Sequence, residues 1–189
     1  AVRYIYPGSQ PTSAPDGTLC LADLAREDLH EPGEGGRIWR ILPASMKPSK
    51  TPNLNTLSSA ALLELLGTAN AWVSETASRL LFERADQETL LAITKKLQWS
   101  WNPSTKLQLL HLLAANDALN REILLRALQD DDASVRENAA KLAAGVIHDG
   151  TLPQPLLQQF LVTARDASPQ IRFQLALSLA GVNHPSVPD

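Results

Sequence analysis

Arg136 and Arg172 stand at the same place in two copies of one phrase, and that spacing is the chain's clearest hint of chemistry. The copies read Asp132-Ala133-Ser134-Val135-Arg136-Glu137-Asn138-Ala139-Ala140 and, 36 residues on, Ser168-Pro169-Gln170-Ile171-Arg172-Phe173-Gln174-Leu175-Ala176. Weaker copies lie at Val73-Ser74-Glu75-Thr76-Ala77-Ser78 and at Thr105-Lys106-Leu107-Gln108-Leu109-Leu110, the second with Lys106 where the two clear copies have Arg, the first with Ser74 there. A cation recurring at that place in three of the four copies can pair with a carboxylate of the neighbouring copy and set how the copies stack. Asp130, Asp131, Asp132 and Asp166 are the acids at hand. The alternative is a basic groove for an anionic ligand, but at most one cation per copy against a net charge of −3 makes little field.

The tryptophans form a second constellation. Trp99 and Trp101 flank Ser100 just before Asn102-Pro103, and Trp72 takes the corresponding place one copy earlier. Aromatic residues at turns anchor partner surfaces because they bring large contact area with few rotatable bonds. They also serve to cap a core or to cover a neighbouring segment, and both readings stand for these three.

Other chemistry is thin. His30, His111, His148 and His184 are widely separated, with neither an i, i+4 pair nor a His-Glu-x-x-His run. The single Cys20 excludes an internal disulfide, a Cys-x-x-Cys pair and a Cys-x-x-Cys-His haem attachment. No Gly-x-Ser-x-Gly elbow occurs. Gly33-Glu34-Gly35-Gly36 lacks the Lys-Ser/Thr and helix of a phosphate cradle and reads as a turn. Asp130-Asp131-Asp132 reads as a helix-capping run, a cation loop being the weaker reading because EF-hand spacing is missing. The expectation is therefore no catalytic, cofactor-binding or metal-binding residue in this segment, and neither haem nor a stoichiometric transition metal.

The elements that carry these residues are helices. A capping residue, a β-branched residue followed by Arg, and a small residue four places on make the second-helix signature of a HEAT-type repeat. Leu57, Ala61, Leu62, Leu65, Leu66 and again Ile123, Leu124, Ala127, Leu128 fall on one stripe of a 3.6-residue helix. Gly67 with Asn70, Asn102-Pro103-Ser104, the acidic run, and Gly150 to Pro153 supply the breaks. The pattern predicts a mainly α chain: a HEAT-like α-solenoid of about four helix pairs over residues 56–182, with a tail at 183–189.

Residues 1–43 are of another kind. Leu19 to Ala22 and Arg37 to Leu42, bordered by Pro15-Asp16-Gly17 and by Pro32 to Gly36, read as two or three β-strands. Such a piece needs a larger sheet or a covering layer, so it should pair with another chain or pack on the first helices. Residues 44–55 form a Pro-rich, mostly polar connector. The 189 residues, 44% hydrophobic, suffice for a core, and the negative net charge argues against nucleic acid as a partner. No apolar run approaches the roughly 20 residues that span a bilayer, and the first 20 lack a signal-peptide pattern. No direct membrane insertion is expected.

Pro11-Thr12, then Pro15-Asp16-Gly17-Thr18-Leu19-Cys20-Leu21-Ala22-Asp23, then Gly36-Arg37-Ile38-Trp39-Arg40-Ile41 resemble the last blade of a glucose/sorbosone-dehydrogenase-like β-propeller, with Cys20 where the family usually has an aromatic. With a Pro-rich connector and HEAT repeats following, the whole chain resembles the carboxy-terminal part of the large membrane-bound-dehydrogenase-type proteins of planctomycetes and their relatives. The resemblance implies a parent oxidoreductase, quinone-dependent and passing electrons to a c-type cytochrome, in the periplasm or cell envelope. It places the quinone site, the catalytic base and any haem c outside these 189 residues. Two functions follow: a non-catalytic interaction or spacer module whose partners are proteins, the rest of its own polypeptide included, or a segment that completes an oxidoreductase.

Overall fold

Caps and breakers cut most of the chain into short helices. The structure, a computed structural model, describes residues 11–23, 37–47, 50–146 and 154–180. Among them are eight α-helices: α1 (Ser59–Leu65), α2 (Ala71–Arg84), α3 (Gln87–Trp99), α4 (Pro103–Ala115), α5 (Arg121–Ala127), α6 (Ala133–Leu142), α7 (Gln154–Thr163) and α8 (Pro169–Leu179). Ser58, Asn70, Asp86, Asn102, Asn120 and Asp132 begin six of them, each side-chain oxygen accepting a backbone N–H of the first turn. Pro103 and Pro169 sit in the first turns of α4 and α8, where the missing N–H has no intrahelical partner to lose.

The helices pack in two series. α2 lies on α4, α4 on α6 and α6 on α8; α1 lies on α3 and α5 on α7. Sequence neighbours α1–α2, α3–α4, α5–α6 and α7–α8 also pack together. The shared core is aliphatic, with Leu62, Leu81, Ile93, Leu113 and Leu124 fully enclosed. Burying such a side chain contributes about 1.5–3 kcal/mol, so this core outweighs any polar contact in the molecule. Ile123, Leu124, Ala127 and Leu128, one of the stripes read from periodicity, are all buried.

The amino-terminal piece is a three-stranded antiparallel sheet in the order β1 (Thr12–Ser13), β2 (Leu19–Asp23), β3 (Arg37–Ile41). Cys20 lies opposite both Thr12 and Arg40, and Leu21 opposite Trp39. Gly17, at φ +83°, makes the turn after β1, and the Ala14 N–H closes it on the Thr18 carbonyl at 2.7 Å. Asp16 is buried in that turn, where it accepts from the Thr18 N–H at 3.1 Å and hydroxyl at 2.7 Å and forms an ion pair with Arg40. Arg40 Nε also donates to Thr18 Oγ1 at 3.2 Å. The turn and the last strand are thereby one unit. The turn expected at Pro32 to Gly36 lies outside the described residues.

Asn70 joins sheet to helices: its Oδ1 caps α2, while its Nδ2 donates to the carbonyls of Ala14 and Pro15 at 3.4 and 3.3 Å. The connector is less uniform than its composition predicts. It holds a turn from Pro43 to Met46 and a short 3₁₀ segment, Leu54–Thr56, whose Leu54 belongs to the helical core. An isolated Leu in a polar run is enough to pin the segment once a core lies within reach.

Gly67, between α1 and α2, has φ +75°, and a Cβ there would stand 2.2 Å from Thr105 Oγ1 at the start of α4. Gly67→Ala is therefore expected to lower stability by at least about 1–3 kcal/mol, the range for a non-glycine residue held in the left-handed region. The displacement of Thr105 adds to that loss. Urea unfolding checks it, and a variant within about 0.5 kcal/mol of wild type would refute the close approach.

Candidate functional site

The helix layer α1, α3, α5, α7 is not evenly filled, because α3 and α5 lack the close packing that joins α1 to α3 and α5 to α7. A cleft of about 290 Å³ occupies that gap. Leu97, Leu110, Ile123, Ala127 and Val135 contribute its apolar lining. Lys106 and Asp130 lie within it as a mostly buried ion pair, Nζ to Oδ2 2.5 Å, and Arg126 with Glu122 forms an exposed pair at 2.7 Å. The cleft thus contains two cations and two carboxylates, each cation matched to a carboxylate.

Trp99 and Trp101 stand on one wall, 72% and 93% exposed. Trp99 ends α3, and Pro103 at the start of α4 disfavours a helical Asn102. Ser100 and Asn102 are accordingly extended, which breaks the helix between the indoles. Trp72 does not share this placement. It is the second residue of α2, half-buried against the core, whereas Trp99 and Trp101 precede their helix cap. The sequence places the three in corresponding turns; the position of the caps separates them.

The repeated cations follow one rule. Asp130 and Asp166 each lie six residues before an Arg of the repeated phrase. Each accepts the backbone N–H two residues on, Asp132 N at 3.0 Å and Ser168 N at 2.9 Å. Each also receives a cation from the preceding helix pair: Lys106 reaches Asp130, and Arg136 reaches Asp166 with Nε at 2.8 Å and Nη2 at 3.3 Å. Arg136 Nη1 turns the other way and donates to the carbonyls of Asp130 and Asp131, both at 2.9 Å. Asp132 is not in this pairing. Its carboxylate caps α6, accepting from the Ser134 and Val135 N–H groups, because the helix start claims it first. Arg172 meets no carboxylate side chain among the described residues; its Nη1 donates to the carbonyls of Asp166 and Ala167 at 2.6 and 3.3 Å. The sequence clue to the true partner was there, since Asp130 and Asp166 share one place in the phrase.

Arg136 and the Ser168 N–H hold the Asp166 carboxyl below its ordinary range, and Asp166 in turn raises Arg136. Bonds from Ser134 do the same for Asp132, and bonds from Thr89 for Asp86. Among the described residues, no group of three or more His, Cys, Asp or Glu could hold a metal ion. His111 Nε2 donates to Asn138 Oδ1 at 2.9 Å, on an open groove across α2, α4 and α6. His30, His148 and His184 lie outside the described residues. No described helix is long and apolar enough to cross a membrane.

The chain matches no protein-family model, and no curated protein matches it significantly.

Arg136→Ala leaves Asp166 and two loop carbonyls short of donors in a half-buried setting, with an expected loss on the order of 1–3 kcal/mol in urea unfolding. Arg172→Ala, at an exposed site, is expected to cost less than about 1 kcal/mol. The carboxyl of Asp166 titrates lower in the folded than in the unfolded chain, so its contribution is complete above about pH 4 and fades as pH falls through the folded value. Asp166→Asn should flatten that acid limb in a pH series of unfolding midpoints; an unchanged limb would remove Asp166 from the clamp.

Proposed function

We propose that the chain is a non-catalytic interaction and spacer module, a HEAT-like array whose Trp99–Trp101 cleft contacts a protein partner. The observation that carries this is a pair of highly exposed indoles on the wall of a charge-balanced cleft. Large exposed aromatics beside an apolar recess are the residues that dominate binding energies when a partner covers them. A volume near 290 Å³ suits a small anchor group of a partner polypeptide better than a whole cofactor. The repeat reading is supported by the packing of α2, α4, α6 and α8 in series and by the recurring cation–carboxylate clamp.

The parent, in this reading, is a propeller dehydrogenase-like protein of the periplasm or envelope, with its quinone and haem c chemistry on other segments. Support for the second reading, a segment that completes an oxidoreductase, comes from the sheet: Ile38 is 79% exposed on β3, a surface that further strands or a covering layer would bury.

The test is a paired one. Trp99→Ala with Trp101→Ala should leave the unfolding free energy within about 0.5 kcal/mol of wild type, because neither indole is buried. The same variant should lose, by roughly tenfold or more, the affinity for any partner recovered with the wild-type protein. Partner affinity unchanged in the double variant would reject the cleft as the contact.

A further inference from the structure

The Trp99–Trp101 cleft has hydrogen-bonding capacity of one kind left over. Lys106, 19% exposed, reaches Asp130 Oδ2 at 2.5 Å, and among the described residues it has no other hydrogen-bond partner. An ammonium carries three N–H donors and accepts nothing, so two donors are left for whatever enters the recess that Lys106 helps to line. The acceptors beside it are engaged. Asp130 Oδ1 holds the Asp132 N–H at 3.0 Å, Asn120 Oδ1 caps α5 through the Ile123 N–H at 3.0 Å, and Glu122 Oε1 holds Arg126 at 2.7 Å. Charge, by contrast, is fully matched, Lys106 with Asp130 and Arg126 with Glu122. Between these groups the lining is aliphatic, and the two exposed indoles stand on one wall.

We propose that the anchor this cleft takes is a phenol: the side chain of a tyrosine on the partner polypeptide, its ring against the apolar lining and the indoles, its oxygen accepting from Lys106 Nζ. This rests on the reading of the cleft as a protein contact and names what enters it. Surplus donors, matched charge and an apolar lining select the occupant, and each competing side chain fails on one of them. A carboxylate would enter beside Asp130 with no unmatched cation to meet it, and a second ammonium or guanidinium would meet Lys106. Either leaves a charge without a counter-ion away from water. Phe or Leu fills the space but covers the ammonium donors with carbon, and the hydrogen bonds those donors make to water are lost. The indole of Trp donates and cannot accept. Met and neutral His accept, but the thioether does so weakly and the imidazole lacks a comparable apolar face. Ser, Thr, Asn and Gln carry an acceptor without an apolar body. Tyrosine couples a neutral acceptor to a large, rigid apolar ring. The volume, near 290 Å³, lies at the small end for ligand sites and suits a single ring. The phenol's own proton is donated to water at the mouth or to Asp130, whose carboxylate oxygens each keep a second lone pair.

The probes are N-acetyl-L-tyrosinamide and N-acetyl-L-phenylalaninamide, titrated into the full chain and followed by the indole N–H resonances of Trp99 and Trp101. The tyrosine amide is expected to shift both resonances with a dissociation constant on the order of 1 mM, the range of a lone anchor without its polypeptide. It should bind roughly fivefold or more tightly than the phenylalanine amide. Lys106→Met should bring that ratio to about one, by weakening the tyrosine amide and not the phenylalanine amide. Because Asp130 loses its partner in that variant, Lys106→Met combined with Asp130→Asn repeats the measurement without an orphaned carboxylate, and the ratio should collapse there too. Equal affinities in wild type, a ratio that survives both Lys106 variants, or no shift of either indole resonance overturns the inference. So does tighter binding of 3-phenylpropanoate or of 2-phenylethylamine, which carry a ring with an anion and a ring with a cation. The two readings fail separately: unchanged partner affinity in the Trp99–Trp101 double variant rejects the cleft as the contact, whereas equal affinity for the two amides rejects only the phenol.

Discussion

Asp166 is held from two sides: the backbone N–H of Ser168 in its own loop, and the guanidinium of Arg136 from the preceding helix pair. That double hold is the constraint on which the arrangement of the helices depends. Apolar burial supplies most of the free energy, about 1.5–3 kcal/mol for each enclosed Leu or Ile, but it is non-directional and would tolerate several ways of laying one pair on the next. The clamp does not. A planar fork that must meet a carboxylate and two loop carbonyls at once fixes the rotation and the rise of one pair on its neighbour. Partly buried ion pairs serve better as such registry devices than as sources of stability. Lys106 and Asp130 do the same work one step earlier with a single bond, since an ammonium is a point charge without the fork.

The cleft lies beside the earlier of the two ion pairs. With α4 held to the α5–α6 loop through Asp130, the layer of odd-numbered helices is left with space between α3 and α5. The Lys106–Asp130 pair therefore has two roles, joining successive helix pairs and closing off charge within the recess. The two indoles beside it remain in contact with water because Pro103 and the Asn102 cap break the helix after Trp99. Large apolar groups are here held outside the core by local backbone chemistry, at 72% and 93% exposure.

At the other end of the chain, the sheet depends on a different pairing. Asp16 sits in a turn that Gly17 permits, and Arg40 from the last strand reaches back to it. The two motifs noted along the sequence, Pro15-Asp16-Gly17 and Arg37 to Ile41, are thus two sides of one contact. Asn70 then ties this unit to α2 through two backbone carbonyls, a small link compared with the helical core.

Local chemistry made much of this legible. Ser, Asn and Asp caps, Pro at first turns and the 3.6-residue spacing of Leu and Ile place the helices, because these signals act within one or two turns of chain. The alternation over Arg37 to Ile41 and the Pro15-Asp16-Gly17 turn place the strands for the same reason. The sequence by itself also determined that a cation recurs at one position in the phrase. It marked Asp130 and Asp166, which share one place in the phrase, apart from Asp132, but which of the two each cation meets was decided by the stacking that presents Asp130 to Lys106 and Asp166 to Arg136. Likewise Trp72, Trp99 and Trp101 are equal in composition and nearly equal in spacing. Which of them enters the core and which stays in water was decided by the tertiary structure, because exposure depends on what the next helix covers, and that is set by contacts some thirty residues away in the chain.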